Sequence, residues 1–499
     1  MCEETPAPYR GVFSISNGVD VPGLLSGLNE RMRVGWNALF PENERRQEVL
    51  IVCALSLLAL VTRAYGIWEW PITGDEYFTV ANVEERATGI IGSAYYALVL
   101  VSQTIFGTAK WSARLPAVIL GVLSIPAFYL MCRAIFNRRA ATIGCIFIIL
   151  SEWHLYHSQI ARFYSGVFLF AAVSYYLYYI SLERESYLHL FLSFLTSFVA
   201  VSFHVTSVFI VASCGAHSAF LLVSKRGEEG VLSQDVAKVY LLVCVLAGMA
   251  MLPKLLGIAG SWGMGYRGVT FDVISTILGV VENIGVPIFV SSFIGLYYLY
   301  FISTDKFLVF LFLTLIPILS VLLFSMLLPP ARPRYMFYSL PLLFALSSLF
   351  CVGIFDNLGG HLNVDIGIAI VISSVLAVSF LSYYSGRFSL DVRDPVRYVE
   401  GNYRSGDQVV VFGWSIQNQL DDGIDVSLIK SKSFWKRRLV PLAKEEGRTW
   451  VIIDTYRTAP LRQDLEAWLM DNASLRWRKE ETRFDYTQRG YEVWLEGAR

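Results

Sequence analysis

The 499 residues are 55% apolar and only 16% charged, with a mean hydropathy of +0.50, a composition that soluble domains do not have. Lys and Arg balance Asp and Glu at 41 each, so no overall charge points to nucleic acid. The expected partners are lipids and neutral or anionic small groups. Of the seven cysteines, six fall in apolar runs and Cys2 lies at the terminus, without the paired spacing of a metal or disulfide set.

The first 47 residues are polar, with scattered Gly, Pro and charge, and no cleavable signal is evident. A spanning helix needs roughly 20 mostly apolar residues. Runs of that kind lie near 49–67, 113–135, 139–157, 160–182, 188–203, 205–223, 238–257, 284–302, 306–328, 335–355 and 364–384, which predicts about eleven spans. The stretch 188–223 also reads as one long helix plus a re-entrant piece, with His204 near its middle. Tyr95 to Gly107 is apolar but short, and reads as an interfacial helix.

Short loops carrying Lys and Arg face the cytoplasm. Arg31, Arg33, Arg45 and Arg46 precede the first span, and Arg138, Arg139, Lys225, Arg226, Lys238 and Lys306 occupy alternate loops. An odd number of spans then puts Asp75-Glu76, the loop 154–162, the loop 258–283, the turn at Pro329–Arg334 and the whole C-terminal segment outside. Lys254, Arg267, Arg332 and Arg334 go against the charge rule, which makes them candidates for holding an anion.

After Tyr384 the pattern becomes that of a soluble α/β domain: strands at Gln408–Phe412 and Trp450–Asp454, a helix-like stretch Leu461–Met470, and a terminal hairpin turning at Gln488-Arg489-Gly490. It has no Gly-rich phosphate loop. The reading is a cytoplasmic extension 1–47, a membrane domain 48–384 and an extracytoplasmic domain 385–499.

Four constellations converge on the outer side. Asp75-Glu76, just past the first span, is costly near lipid unless used; either acid could cap a helix start, or one could take a proton from an acceptor hydroxyl, with Asp75 the better placed. Glu84 and Glu85 read as a solvated face. In the polar hairpin Glu152–Tyr164, Arg162 could snorkel or grip a phosphate, with Tyr164 beside it. His154 and His157, three apart, could ligate a metal, but no third ligand is near. A rigid turn sets Arg332 and Arg334 at a span start, against bulk phospholipid or a donor phosphate. His204 and Thr206 close the fifth span, where an interior histidine and a substrate contact are equally good readings. Sugar nucleotides are cytoplasmic, so an outward-facing transferase needs a donor carried in the membrane, and a lipid-linked phosphate is the natural leaving group.

The chain resembles the GT-C integral-membrane glycosyltransferases, most closely the bacterial branch related to protein O-mannosyltransferases and lipid A aminoarabinose transferases. The resemblance runs along most of the chain: the acidic pair; Gly92 to Leu98, with Tyr95 and Tyr96; Phe106 to Pro116, with Lys110 and the Arg114-Leu115-Pro116 entry to the second span; Ser158-Gln159-x-x-Arg162-x-Tyr164; Arg334-Tyr335 with Pro341; and Asp391–Tyr398 leading into Ser405–Val411. The long N-terminal stretch and Phe163, where the family often has proline, depart from it. The resemblance implies a polyprenyl-phosphate sugar donor, Asp75 with Glu76 as catalytic residues, Arg162, Tyr164, Arg334, Arg332 and Lys110 around the donor phosphate, and Tyr95, Tyr96, His157 and His204 as substrate contacts. It implies no certain cofactor and no metal ligands, and it leaves sugar and acceptor (glycan, lipid or protein) open. A glycan polymerase or ligase and a lipid-linked glycan flippase are the competing classes; the scarcity of ionisable residues deep in the spans argues against the flippase.

Overall fold

In the computed structural model of the protein, the described residues are 42–70, 74–84, 93–224, 232–265, 273–327, 333–357, 363–387, 393–412, 426–428, 448–454, 462–483 and 487–496. The chain divides into two compact units, Met1–Cys53 and Ala54–Arg499. Of the first unit only the beginning of one helix is described, and the architecture below is that of the second.

The helices run α1 (Glu42–Ala64), α2 (Gly74–Glu84), α3 (Ser93–Phe106), α4 (Lys110–Ile135), α5 (Arg138–Leu150), α6 (Glu152–Gln159), α7 (Tyr164–Glu183), α8 (Tyr187–Phe203), α9 (Val208–Val223), α10 (Gln234–Gly265), α11 (Val273–Ile284), α12 (Val286–Ile302), α13 (Thr304–Leu327), α14 (Leu340–Asn357) and α15 (Asn363–Arg387), with 3-10 turns at Val205–Ser207 and Pro333–Ser339. Each of the apolar runs read from the sequence falls largely on helical segments. Among the described residues five helices are long and apolar enough to cross a membrane, and a bent pair makes a sixth; 187–203 and 369–384 are apolar but shorter.

Three breaks in the helices matter for the site. The third apolar run breaks at Ser151, whose hydroxyl accepts the His154 amide and starts α6, so the segment 139–157 is not one straight helix. The stretch 188–223 is two helices parted at His204, not one long one. At Gly285, with φ +89°, the chain turns by 100° between α11 and α12, a backbone setting that glycine adopts without a Cβ penalty. The expected outer loop 258–283 therefore holds the end of α10 and most of α11.

The helix surfaces carry large apolar groups outward, as Leu57, Leu58 and Val61 do on α1 and Val290, Tyr297 and Phe301 on α12. The seam between α12 and α14 is small and hydroxylic, which suits association in lipid, where close van der Waals packing replaces hydrophobic exclusion. A Cβ on Gly295 would lie 2.0 Å from the Leu346 carbonyl oxygen, and Ser291 and Ser347 are hydrogen-bonded at 2.6 Å. So α12 and α14 meet backbone to backbone.

The C-terminal segment comprises α16 (Arg393–Asn402), β1 (Gln408–Phe412), β2 (Val426–Leu428), β3 (Thr449–Asp454), α17 (Arg462–Asn472), β4 (Ala473–Arg483) and β5 (Thr487–Glu496). The sheet order is β2-β1-β3-β5-β4, with β1 parallel to β2 and β3, and β5 antiparallel to β3 and β4. Val409 and Val411 pack with Val396 and Val399 of α16, while Val410 and Phe412 pack with Leu465 and Leu469 of α17. Burial on both faces explains the unbroken apolar run of β1. β4 and β5 pair as the expected hairpin, but Gln488, Arg489 and Gly490 lie inside β5, opposite Thr482, Glu481 and Glu480, so these residues are strand and not the expected turn.

Asp407 pins the α16–β1 turn: it accepts from Arg448 Nε at 2.9 Å, Trp450 Nε1 at 2.9 Å and the Arg404 amide at 2.9 Å. Burial pushes its carboxyl up, but the hydrogen bonds from Arg448, Trp450 and Arg404 outweigh this and hold it below its ordinary value. A depressed carboxylate pKa adds stability above the unfolded value and loses it as pH falls through the folded one. Asp407→Asn should therefore cost about 1–3 kcal/mol and speed amide exchange in β1 and β3 at neutral pH. The difference between the variant and the parent should shrink below about pH 4.

Candidate active site

Four parts of the chain meet at one end of the bundle: residues 65–70 with the start of α2, the α6–α7 joint, the α8–α9 joint and the 3-10 turn Pro333–Ser339. Of the basic residues read as cytoplasmic, Arg138, Arg139, Lys238 and Lys306 are described in this unit, and they lie at the other end. There Lys306 Nζ donates to the last-turn carbonyl of α4, Ile135, at 2.6 Å, and the Ser233 amide donates to Leu182 O.

The anchor of the site is an ion pair with no solvent exposure. Arg114 donates Nε to Glu76 Oε1 at 2.6 Å and Nη2 to Oε2 at 2.8 Å, both side chains 0% exposed. Its remaining Nη1 donates to the Ile67 and Trp70 carbonyls at 2.8 and 2.9 Å, and Glu76 Oε1 also accepts the Ala161 amide at 2.8 Å. Every prong of the fork is thus used, which a buried pair requires to offset desolvation. Glu76 faces Arg114 and Ala161 in this structure. Asp75 is the second residue of α2, and its side chain lies outside the described residues.

Ala161 is followed by Arg162, so the carboxylate of Glu76 sets both the residue after the candidate base and the residue before the candidate phosphate ligand. Arg162 Nη1 donates to Thr79 Oγ1 at 3.4 Å, with its guanidinium 4.5 Å from the Phe163 ring centre. Arg334 lies over the Tyr164 ring at 6.0 Å. The buried Tyr164 ring is 4.5 Å from His157 and 5.6 Å from His204, and Tyr335 is 5.3 Å from His204. Phe337 fixes the 3-10 turn by wedging among Trp153, His157 and Tyr164 at 4.9–5.9 Å. Arg162, Tyr164, His157, His204 and Arg334 thus come together.

Tyr95 is fully buried against Phe163 and Phe203, and its hydroxyl makes no hydrogen bond. It is a wall of the site and is closed to solvent here. Tyr96 accepts from Asn82 at 3.4 Å. Lys110 opens α4 one turn before Arg114. Arg332 and Arg267 lie outside the described residues, as does the side chain of Lys254. Among the described residues no group of three or more His, Cys, Asp or Glu could hold a metal ion; His154 and His157 are engaged elsewhere.

His154 shows where. Arg63, itself fully buried, donates Nη2 to His154 Nδ1 at 3.0 Å and to the Ile148 carbonyl at 3.1 Å. A guanidinium on the last carbonyls of α5 complements the negative helix end and holds the break at Ser151. Gln159 donates to the Thr62 and Tyr65 carbonyls and accepts from Tyr383 at 2.6 Å, tying α6 to α1 and α15. Arg63, Arg114 and Phe337 were given no role in the reading of the sequence. A cation inside an apolar run is the signal that marks the first two.

A family model described as dolichyl-phosphate-mannose-protein mannosyltransferase matches residues 94–256. No curated protein sequence matches the chain significantly. The apo oligosaccharyltransferase of Archaeoglobus fulgidus superposes with a TM-score of 0.54 at 12% identity, over 86% of this chain and 73% of that one. The archaeal oligosaccharyltransferase AglB of the same organism, solved with an inhibitory peptide and a dolichol-phosphate, gives 0.54 at 11%, over 90% and 74%. ArnT from Cupriavidus metallidurans in the apo state gives 0.49 at 12%, over 91% and 98%.

The clamp yields a sharp test. Glu76→Gln keeps the shape but leaves Arg114 buried without its counter-charge, at a cost of about 3–5 kcal/mol, visible as a lowered unfolding temperature in detergent. The swapped pair Glu76→Arg with Arg114→Glu should not recover it, because position 76 must accept the Ala161 amide and position 114 must donate to two carbonyls. Recovery in the swap would mean that charge pairing alone matters.

Proposed function

We propose that the chain is a GT-C-type integral-membrane glycosyltransferase related to the protein O-mannosyltransferases and lipid A aminoarabinose transferases, a reading that the family match over 94–256 and the likeness in fold support, and that it transfers a sugar from a polyprenyl-phosphate donor to an acceptor hydroxyl on the extracytoplasmic face. The observation that carries this reading is the convergence of Arg162 and Arg334 around Tyr164, one residue removed from a clamp that also fixes the helix bearing Asp75. Planar guanidinium forks suit phosphate. The dolichol-phosphate held by AglB supports a lipid phosphate as the group to be bound.

In the proposed step the carboxylate of Asp75 takes the proton of the acceptor hydroxyl while that oxygen bonds to the anomeric carbon. The bond from this carbon to the phosphate oxygen breaks, and polyprenyl phosphate leaves with its charge stabilised by the arginines. One displacement inverts the anomeric centre. Glu76, engaged by Arg114, acts as a positioning residue rather than as a second base.

Three measurements test this reading. Asp75→Asn should abolish transfer while expression, unfolding temperature and donor binding stay near those of the parent; near-parental turnover would remove Asp75 from the mechanism. Arg162→Lys and Arg334→Lys keep the charge but lose the fork, and each should cost about 1.5–3 kcal/mol, or roughly ten- to a hundredfold in efficiency at low donor concentration. Headgroup snorkelling would tolerate both. Single cysteines at Ser405 and Gly227, in a background lacking the seven native cysteines, should label from outside and only after permeabilisation, respectively; the reverse would place the site on the wrong side of the membrane.

A further inference from the structure

His204 joins α8 to the 3-10 turn Val205–Ser207, outside both helices, and caps that turn: its Nδ1 accepts the Thr206 amide at 3.4 Å and lies 2.7 Å from Thr206 Oγ1. A ring nitrogen that accepts a backbone N–H carries no proton, so in the neutral imidazole the proton sits on Nε2. Burial, then Arg162 and Arg334, push the ring's pKa down to about 3, which keeps it uncharged at any ordinary pH. Capping alone calls for nothing so large, because Ser, Asp or Asn caps at least as well. Here an imidazole stands instead among Phe163 at 5.0 Å, Tyr164 at 5.6 Å and Tyr335 at 5.3 Å, the three rings adjoining the two arginines in sequence or in space.

We propose that His204 is a binding residue for the donor phosphate, donating its Nε2–H to a phosphate oxygen as a neutral third donor beside Arg162 and Arg334, in a tautomer fixed by the Thr206 amide. The assignment rests on the lipid-phosphate reading above. Its logic is electrostatic: a third cation would be repelled by the first two in a low-dielectric setting, whereas a neutral N–H adds a directional hydrogen bond at no such cost. The joint between α8 and α9 thereby contributes to a site otherwise built from the α6–α7 joint and the 3-10 turn at 333–339.

The test uses the full-length protein in nanodiscs, with undecaprenyl phosphate as the titrated probe, alongside transfer kinetics. His204→Ser and His204→Asn both retain an acceptor for the Thr206 amide and both withdraw the N–H from its present reach. Binding should weaken about tenfold in each and the donor KM should rise, with kcat at saturating donor and the unfolding temperature close to the parent's. Asn is among the best capping residues, so that variant reports even if the serine one does not fold. Parent-like affinity in the asparagine variant, while Arg162→Lys and Arg334→Lys bind weakly, would reduce His204 to a cap and leave the phosphate site standing. Absence of any arginine-dependent affinity in the parent would overturn the phosphate site and the histidine's part in it together.

Discussion

A guanidinium and a carboxylate without solvent contact are tolerable only where every donor and acceptor has a partner, and the Glu76–Arg114 pair sets that condition on four stretches of chain at once. Arg114 cannot be satisfied unless the carbonyls of Ile67 and Trp70 turn inward. Glu76 cannot be satisfied unless the Ala161 amide is presented to it. The loop after α1, the start of α2, the start of α4 and the α6–α7 joint are thus placed by a single set of hydrogen bonds. Asp75 and Arg162, each one residue from this set, inherit their positions from it.

A second, lesser constraint acts on the same segment from the other side. Arg63 on the last turn of α5, with His154 beside it, makes the break at Ser151 a defined corner rather than a frayed end, and Gln159 fastens the far end of α6 to α1 and α15. The eight residues of α6 are therefore held at both ends. The buried charges Arg63, Glu76 and Arg114 lie at one end of the bundle, where each has structural work. Glu76 illustrates this: the sequence reading made it half of an acid pair, and the structure shows it gripped by Arg114.

The helices were legible because lipid demands long apolar runs, and any run that long has little other reading. The strands β1 and β3 were legible because both their faces are buried. What was hidden follows from the same physics. An apolar run has no mark of a corner, so the break at Ser151 passed inside a continuous span, while α11, which ends at the Gly285 bend, was read as part of a loop. Gln488-Arg489-Gly490 has the composition of a turn, yet pairing with β4 draws it into a strand. Most of all, a linear sequence does not say which cation meets which anion: Arg114 was visible as part of an entry motif, but its partner, 38 residues upstream, was not. The cluster of Arg162, Tyr164 and Arg334 was anticipated by chemistry, and the three-segment convergence that includes His204 came from packing.

The backbone contact between Gly295 and Leu346 has a mechanical side. With backbone against backbone there and a serine pair close by, α12 and α14 have little compressible material between them and little room to slide. The 3-10 turn bearing Arg334 runs straight into α14, and α11 hangs from α12 across the bend at Gly285. A joint that resists sliding thus has the arginine-bearing turn at the entry of one helix and the glycine bend at the entry of the other.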